Sequence, residues 1–178
     1  MKIFIDVGGF IGDSTKAALD PIFGFDKVFC FEPFCEFANE IRKNVKDPRL
    51  MVFPCGLYSK STTKQIYGAG QLGCTIYEDG PHAGLATPIV ARFLAASEFL
   101  SSATFAEDEI WMKLNCVGAE CDILERLLEL PEFFKRFKSI LVDFDARKIP
   151  SQQSRVDGLL LKLSPILCAF QKTSILEW

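Results

Sequence analysis

The chain has one histidine, His82, in 178 residues. Sites that need two imidazoles, such as the H-E-x-x-H zinc sites, are therefore excluded. No metal site is expected. Seven cysteines occur, at 30, 35, 55, 74, 116, 121 and 168, but none forms a C-x-x-C pair. That spacing disfavours zinc ribbons and thioredoxin-like redox motifs. The count is odd and most cysteines sit inside apolar runs, which points to free thiols and a reducing, cytoplasmic compartment. No excess of positive charge exists: 20 Lys+Arg stand against 23 Asp+Glu, a formal net charge of -3. Duplex nucleic acid needs a basic footprint and is not an expected partner. No run approaches the ~18–20 apolar residues of a membrane span, so no membrane partner is expected either. Met1–Ile5 opens like a signal peptide, yet Asp6 ends the stretch before the ~7–15 apolar residues of such a segment are reached.

What is present is apolar residues, 49% of the chain, with 17 phenylalanines. That content is too high for disorder, and the length fits one domain over 1–178. Short apolar runs alternate with helical patterns. Ile3–Val7, Val28–Glu32, Leu50–Phe53, Ile110–Leu114 and Ser139–Phe144 read as strands. Phe34, Phe37, Ala38, Ile41 and Val45 recur at helical spacing, as do Ile123, Leu124, Leu127 and Leu128, and later Val156, Leu159, Leu160 and Leu163. The stretch from Ser59 to Ala106 is punctuated by glycine and is the least regular; a hairpin or loop is expected, followed by an untyped segment around Pro88–Leu100. Near-continuous apolar strands alternating with helices define an α/β fold, a doubly wound and mostly parallel sheet. The last two runs, Ile166–Phe170 and Ser174–Trp178, are joined by too few residues for a helical crossover. An antiparallel strand near the C-terminus is expected there.

Ligands of open α/β sheets bind at the carboxyl ends of the strands. The first run ends in Asp6-Val7-Gly8-Gly9-Phe10-Ile11-Gly12-Asp13. Its glycines permit close backbone approach and a helix start follows. A G-x-G-x-x-G fingerprint aligned on Gly9 and Gly12 would need glycine at position 7, where Val7 stands, and no G-K-[ST] occurs. Asp6 would repel a pyrophosphate, which weakens a nicotinamide-dependent oxidoreductase reading and suits a ligand with a positive charge. The second run ends in Glu32, whose carboxylate can accept from both hydroxyls of a ribose. A nucleoside with a cationic tail, S-adenosylmethionine, has these features. The alternative, in which the glycines form only a tight turn and Glu32 is an exposed strand end, is less favoured when both features occur in order after two strands.

Phe4–Thr15, Phe31-Glu32-Pro33 and Trp111–Glu120 resemble, in order and spacing, the motifs of FkbM-type methyltransferases. The resemblance covers about residues 3–145, and Gly73–Tyr77 adds to it. It implies a Rossmann-like fold of the seven-stranded methyltransferase type and S-adenosyl-L-methionine as cofactor. It implies O-methylation of a small hydroxylated metabolite or sugar. By resemblance, the turn Gly8–Asp13, with Asp6, Gly9, Phe10 and Gly12, takes the methionine end. Glu32 and Pro33 take the ribose, and Cys55-Gly56-Leu57 the adenine side. The family usually reads K-[IL]-D-V-E-G-A-E after its fourth strand. Here Asn115 replaces the Asp and Val117 the Glu, while Lys113, Gly118, Ala119 and Glu120 remain. By resemblance Asn115 is a cofactor-binding and catalytic candidate, though it cannot act as a charged base. The bases left to assist a hydroxyl acceptor are Glu120, His82 and the pair Asp143 and Asp145. Glu120 could equally be a helix-start charge, and His82 a solvated loop residue. A catalytically impaired S-adenosylmethionine-binding or fold-only interaction protein is the alternative. A homodimer is compatible with so many aromatic residues.

Overall fold

A computed structural model describes residues 1–71, 73–169 and 174–177. The elements run β1 (Lys2–Val7), α1 (Asp13–Ala18), β2 (Lys27–Phe31), α2 (Cys35–Asn44) and β3 (Leu50–Phe53). They continue with β4 (Gly56–Tyr58), β5 (Thr62–Ile66), β6 (Ile89–Ala95), α3 (Ala96–Ala103) and β7 (Glu109–Leu114). The chain then forms α4 (Ala119–Leu128), α5 (Pro131–Phe134), β8 (Phe137–Val142), α6 (Gln153–Ala169) and β9 (Ser174–Glu177). Six strands form one sheet in the order β3-β2-β1-β7-β8-β9, with every neighbouring pair parallel.

The strands are apolar because both faces of the sheet are covered. Ile3, Ile5 and Val7 pack in one cluster with Phe99 and Leu100 of α3, Ile123, Leu124 and Leu127 of α4, and Val156 and Leu163 of α6. Phe4 points the other way and joins Ala18, Leu19, Phe25 and Trp111. That is the two-residue alternation of a strand. Strand order reverses between β1 and β7, so the crevice at their carboxyl ends is the place where such sheets bind ligands.

Two expectations are corrected. The sheet's last described strand is parallel, since Ser139, Ile140, Leu141 and Val142 pair in register with Ser174, Ile175, Leu176 and Glu177. The segment expected as its antiparallel partner belongs instead to α6, which runs 17 residues and contains Pro165. Proline usually ends a helix, and ending it there left too little chain for a crossover. The helix continues past it and supplies the crossover a parallel strand needs. Phe170 and Trp178 lie outside the described residues. Among the described residues the main sheet has six strands. The middle region is the second difference. It holds a separate three-stranded sheet in the order β4-β6-β5, with β6 parallel to β4 and antiparallel to β5. No described helix is long and apolar enough to cross a membrane. Cys30, Cys35, Cys55, Cys74, Cys116 and Cys121 are free thiols.

Candidate functional site

The carboxyl ends of β1, β2 and β7 are stitched to one another by main chain. The Gly8 and Gly9 N–H groups donate to the Phe31 carbonyl at 3.0 and 3.2 Å, and Asn115 N–H donates to the Val7 carbonyl at 3.1 Å. Gly8 is at φ 83°, and a Cβ there would lie 1.9 Å from the Asn115 carbonyl oxygen. Only glycine allows β1 and β7 to end this close together. Above this junction lies a cavity of about 460 Å³, within the ~300–1,000 Å³ of small-molecule sites.

The structure brings most of the residues expected at the site to this cavity. Gly8, Gly9, Phe10, Asp13, Glu32, Pro33, Gly56, Leu57 and Asn115 are on its wall. Five others are not. Gly12 is in the turn behind, against Ile41. Cys55 is buried next to the wall residues Gly56 and Leu57. His82 fills the space beside Gly68 and Gly73, behind a loop that walls the cavity. Asp6 and Glu120 are each 0% exposed. Asp145 is also buried, ion-paired with Lys148, and Asp143 donates its N–H to the Leu114 carbonyl.

Asp6 is engaged within the protein. Its Oδ2 accepts from the Ser14 and Thr15 hydroxyls, both at 2.7 Å, and its Oδ1 meets Lys113 Nζ at 3.0 Å. Lys113 also donates to the Gly8 carbonyl at 2.9 Å and to Ser14 Oγ at 3.2 Å. The positive charge that Asp6 asks for is thus supplied by the chain itself. With its charge compensated, Asp6 no longer argues against a pyrophosphate. Lys113 was the signal available in the sequence: a lysine inside an apolar strand needs a buried acid, and Asp6 occupies the equivalent position in β1, its register partner.

Glu120 closes the turn after β7. Its two carboxylate oxygens accept from the Cys116 N–H at 2.9 Å and the Gly118 N–H at 2.7 Å. This clamps the turn between β7 and α4, since Cys116 precedes the helix and Gly118 is its N-cap. Glu32, 4% exposed, does the same for the opposite side. Its Oε2 accepts from Phe10 N–H at 2.8 Å and its Oε1 from Phe34 N–H at 2.9 Å. Two non-glycine residues on the wall hold left-handed backbone, Phe10 at φ 49° and Val117 at φ 44°. For a β-branched residue this is a true outlier, and such strain collects at functional sites. Both are pinned, Phe10 by Glu32 and Val117 through its carbonyl, which accepts from Thr75 Oγ1 at 2.6 Å.

Burial pushes the carboxyls of Glu32 and Glu120 up to about 7, against the opposing pull of the backbone N–H groups they accept from. Between their ordinary value of 4.5 and about 7 the folded chain binds more protons than the unfolded one. Stability therefore falls as pH rises through that window, and the effect is complete above it. Each shift of this size corresponds to roughly 3–4 kcal/mol. Urea melts are expected to give a higher midpoint at about pH 5.5 than at about pH 8, and Glu120→Gln, which does not titrate, should flatten the slope. A midpoint that rises with pH across the window would contradict this assignment.

The remaining wall was not anticipated as site residues. Phe34 and Phe37 come from the start of α2, Ile66 from the end of β5, and Gln71 and Gly73–Ile76 from the loop that follows. The loop returns on itself through the pairing of Tyr67 with Thr75.

No protein-family profile matches this chain, and no curated protein matches it. Among solved structures it is similar to the methyltransferase FkbM from Methylobacillus flagellatus KT. The TM-score is 0.53 at 15% identity, covering 94% of this chain and 38% of that one. A candidate S-adenosylmethionine dependent methyltransferase from Listeria monocytogenes aligns at a TM-score of 0.35 and 11% identity, over 71% of this chain and 41% of that one. The chain thus spans well under half the length of either. The first likeness is one of fold, and it agrees with the resemblance to FkbM-type methyltransferases carried by the motifs.

Proposed function

We propose that residues 1–178 form an S-adenosylmethionine-dependent methyltransferase domain that O-methylates a small hydroxylated molecule. The observation that carries this reading is Glu32. A buried carboxylate stands on the cavity wall, and each oxygen holds one backbone N–H. Each retains acceptor capacity that a ribose hydroxyl can use. The residues fit the cofactor in other respects. Leu57 and Phe34 offer apolar surface for a base, and the Gly8–Phe10 turn with Asn115 offers backbone and amide groups for an amino-acid end. Bound S-adenosylmethionine would supply a methyl group already activated by its sulfonium. The chain's part is then chiefly to hold donor and acceptor in line.

A second reading, cofactor binding without catalysis, is favoured by the placement of the expected bases. Glu120 and His82 are off the wall, and Asn115 is an amide. Isothermal titration with S-adenosylhomocysteine tests the shared part, with saturable 1:1 binding expected. A methyl-donor consumption assay then separates the two readings. No binding of S-adenosylhomocysteine or S-adenosylmethionine would sink both, and tight NADH binding in its place would revive the oxidoreductase.

A further inference from the structure

The cavity wall carries Phe10, Phe34, Phe37, Ile66 and Ile76, and its polar side chains are mostly in use. Ser14 Oγ donates to Asp6 and accepts from Lys113. Thr75 Oγ1 donates to the Val117 carbonyl at 2.6 Å and faces the Tyr77 N–H at 3.3 Å. Lys113 is spent on Asp6, Gly8 and Ser14. Among the described wall residues, the side chains of Asp13, Gln71 and Asn115 make no hydrogen bond. Asp13 begins α1 and Asn115 follows β7, on the side where the functional reading puts the methionine end. Gln71 alone stands on the other side, on the loop after β5.

The loop that carries Gln71 packs, through Ala69, Cys74 and Ile76, in one cluster with Phe34, Phe37 and Ile66. Phe10 meets Phe37 edge-on with ring centroids 4.8 Å apart, and Phe37 meets Phe34 at 5.5 Å. Ile66 and Ile76 continue the same surface. A sugar would bring several hydroxyls to this surface and find one free amide. The others would lose water without gaining a partner, which is unfavourable. A flat apolar body with one hydroxyl loses nothing there and gains the edge and face contacts that aromatic rings favour.

We propose that this cavity takes an aromatic or otherwise apolar acceptor carrying a single hydroxyl, its body against Phe10, Phe37, Ile76 and Gln71 and its hydroxyl toward Asn115, the side where the functional reading puts the methionine end. The proposal rests on the functional reading above for the word acceptor, but the preference for an apolar ligand can be measured without methyl transfer. Ligand-observed NMR on the full chain, with 2-naphthol and methyl α-glucopyranoside as probes, is expected to show saturable binding of the naphthol alone. Naphthol should still bind when S-adenosylhomocysteine saturates the protein. Phe37→Ala should weaken it about tenfold, the scale of one lost aromatic contact, and Gln71→Ala should weaken it less, both with S-adenosylhomocysteine affinity unchanged. Binding of the glucoside in preference, displacement of naphthol by S-adenosylhomocysteine, or an indifferent Phe37→Ala would each overturn the proposal. If S-adenosylhomocysteine fails to bind while naphthol binds in a Phe37-dependent way, the methyltransferase reading falls and the apolar selectivity stands.

Discussion

Replacing Lys113 by methionine is expected to destabilise the protein by about 3–5 kcal/mol, the usual result of leaving a buried charge without its partner. The cause lies at Asp6, which is 0% exposed and meets Lys113 Nζ at 3.0 Å. Methionine fills the space of the lysine stem but donates nothing. Asp6 would keep the Ser14 and Thr15 hydroxyls, and the Gly8 carbonyl would lose its lysine donor. Because Gly8 also sits against the Asn115 carbonyl, the damage would spread along the junction of β1 and β7. Urea denaturation of Lys113→Met against the double variant Asp6→Asn/Lys113→Met separates charge from packing. Asparagine can still accept from the hydroxyls without a charge, so the double variant should recover part of the loss. A single variant within about 1 kcal/mol of the parent would show that the pair is not the keystone of the junction.

The same pair shows how far the sequence could be read. The parallel strands were legible because burial on both faces leaves them nearly continuous apolar runs, as in Ile3–Val7 and Ile110–Leu114. The glycine turn and Glu32 were legible because a ligand crevice must lie at strand ends, and nine of the expected site residues reach one cavity. Asp6, read alone, looked like a ligand contact; its partner comes 107 residues later, and no local pattern links the two. Glu120 carried the same ambiguity between base and helix-start charge. Its bonds to Cys116 and Gly118 make it a clamp on the turn. The middle region hid its strand for a different reason. In β6 Ala91, Phe93 and Ala95 are buried with Arg92 exposed and Leu94 half-buried between them, but the strand runs directly into α3, so no turn residue marks the boundary. Phe34 and Phe37 were visible as members of one apolar helix face, and Ile66 stood in the irregular middle region. Only the fold turns them toward a cavity, so this part of the wall could not be read before it.

Glu32→Ala is expected to reduce S-adenosylhomocysteine affinity at least about 100-fold, since two hydrogen bonds to a charged acceptor at roughly 1.5–3 kcal/mol each would be lost. The substitution also strips the acceptor from the Phe10 and Phe34 N–H groups, so some of the loss would come from a loosened wall. Two measurements keep these contributions apart. Circular dichroism and a urea melt report whether the variant still folds. The pH dependence of binding reports the carboxylate itself. Burial holds this carboxyl at about 7, and the ionised form is the acceptor-only form that hydroxyl donors prefer. Affinity should therefore strengthen as pH rises from about 6 to about 8, opposite in sign to the stability trend that the same group produces over that range. Glu32→Gln should bind weakly at both values and show no such rise. A wild-type affinity indifferent to pH, together with an unimpaired Glu32→Gln, would mean that the ligand does not touch this residue. The cavity's occupant would then have to be sought against its apolar wall alone.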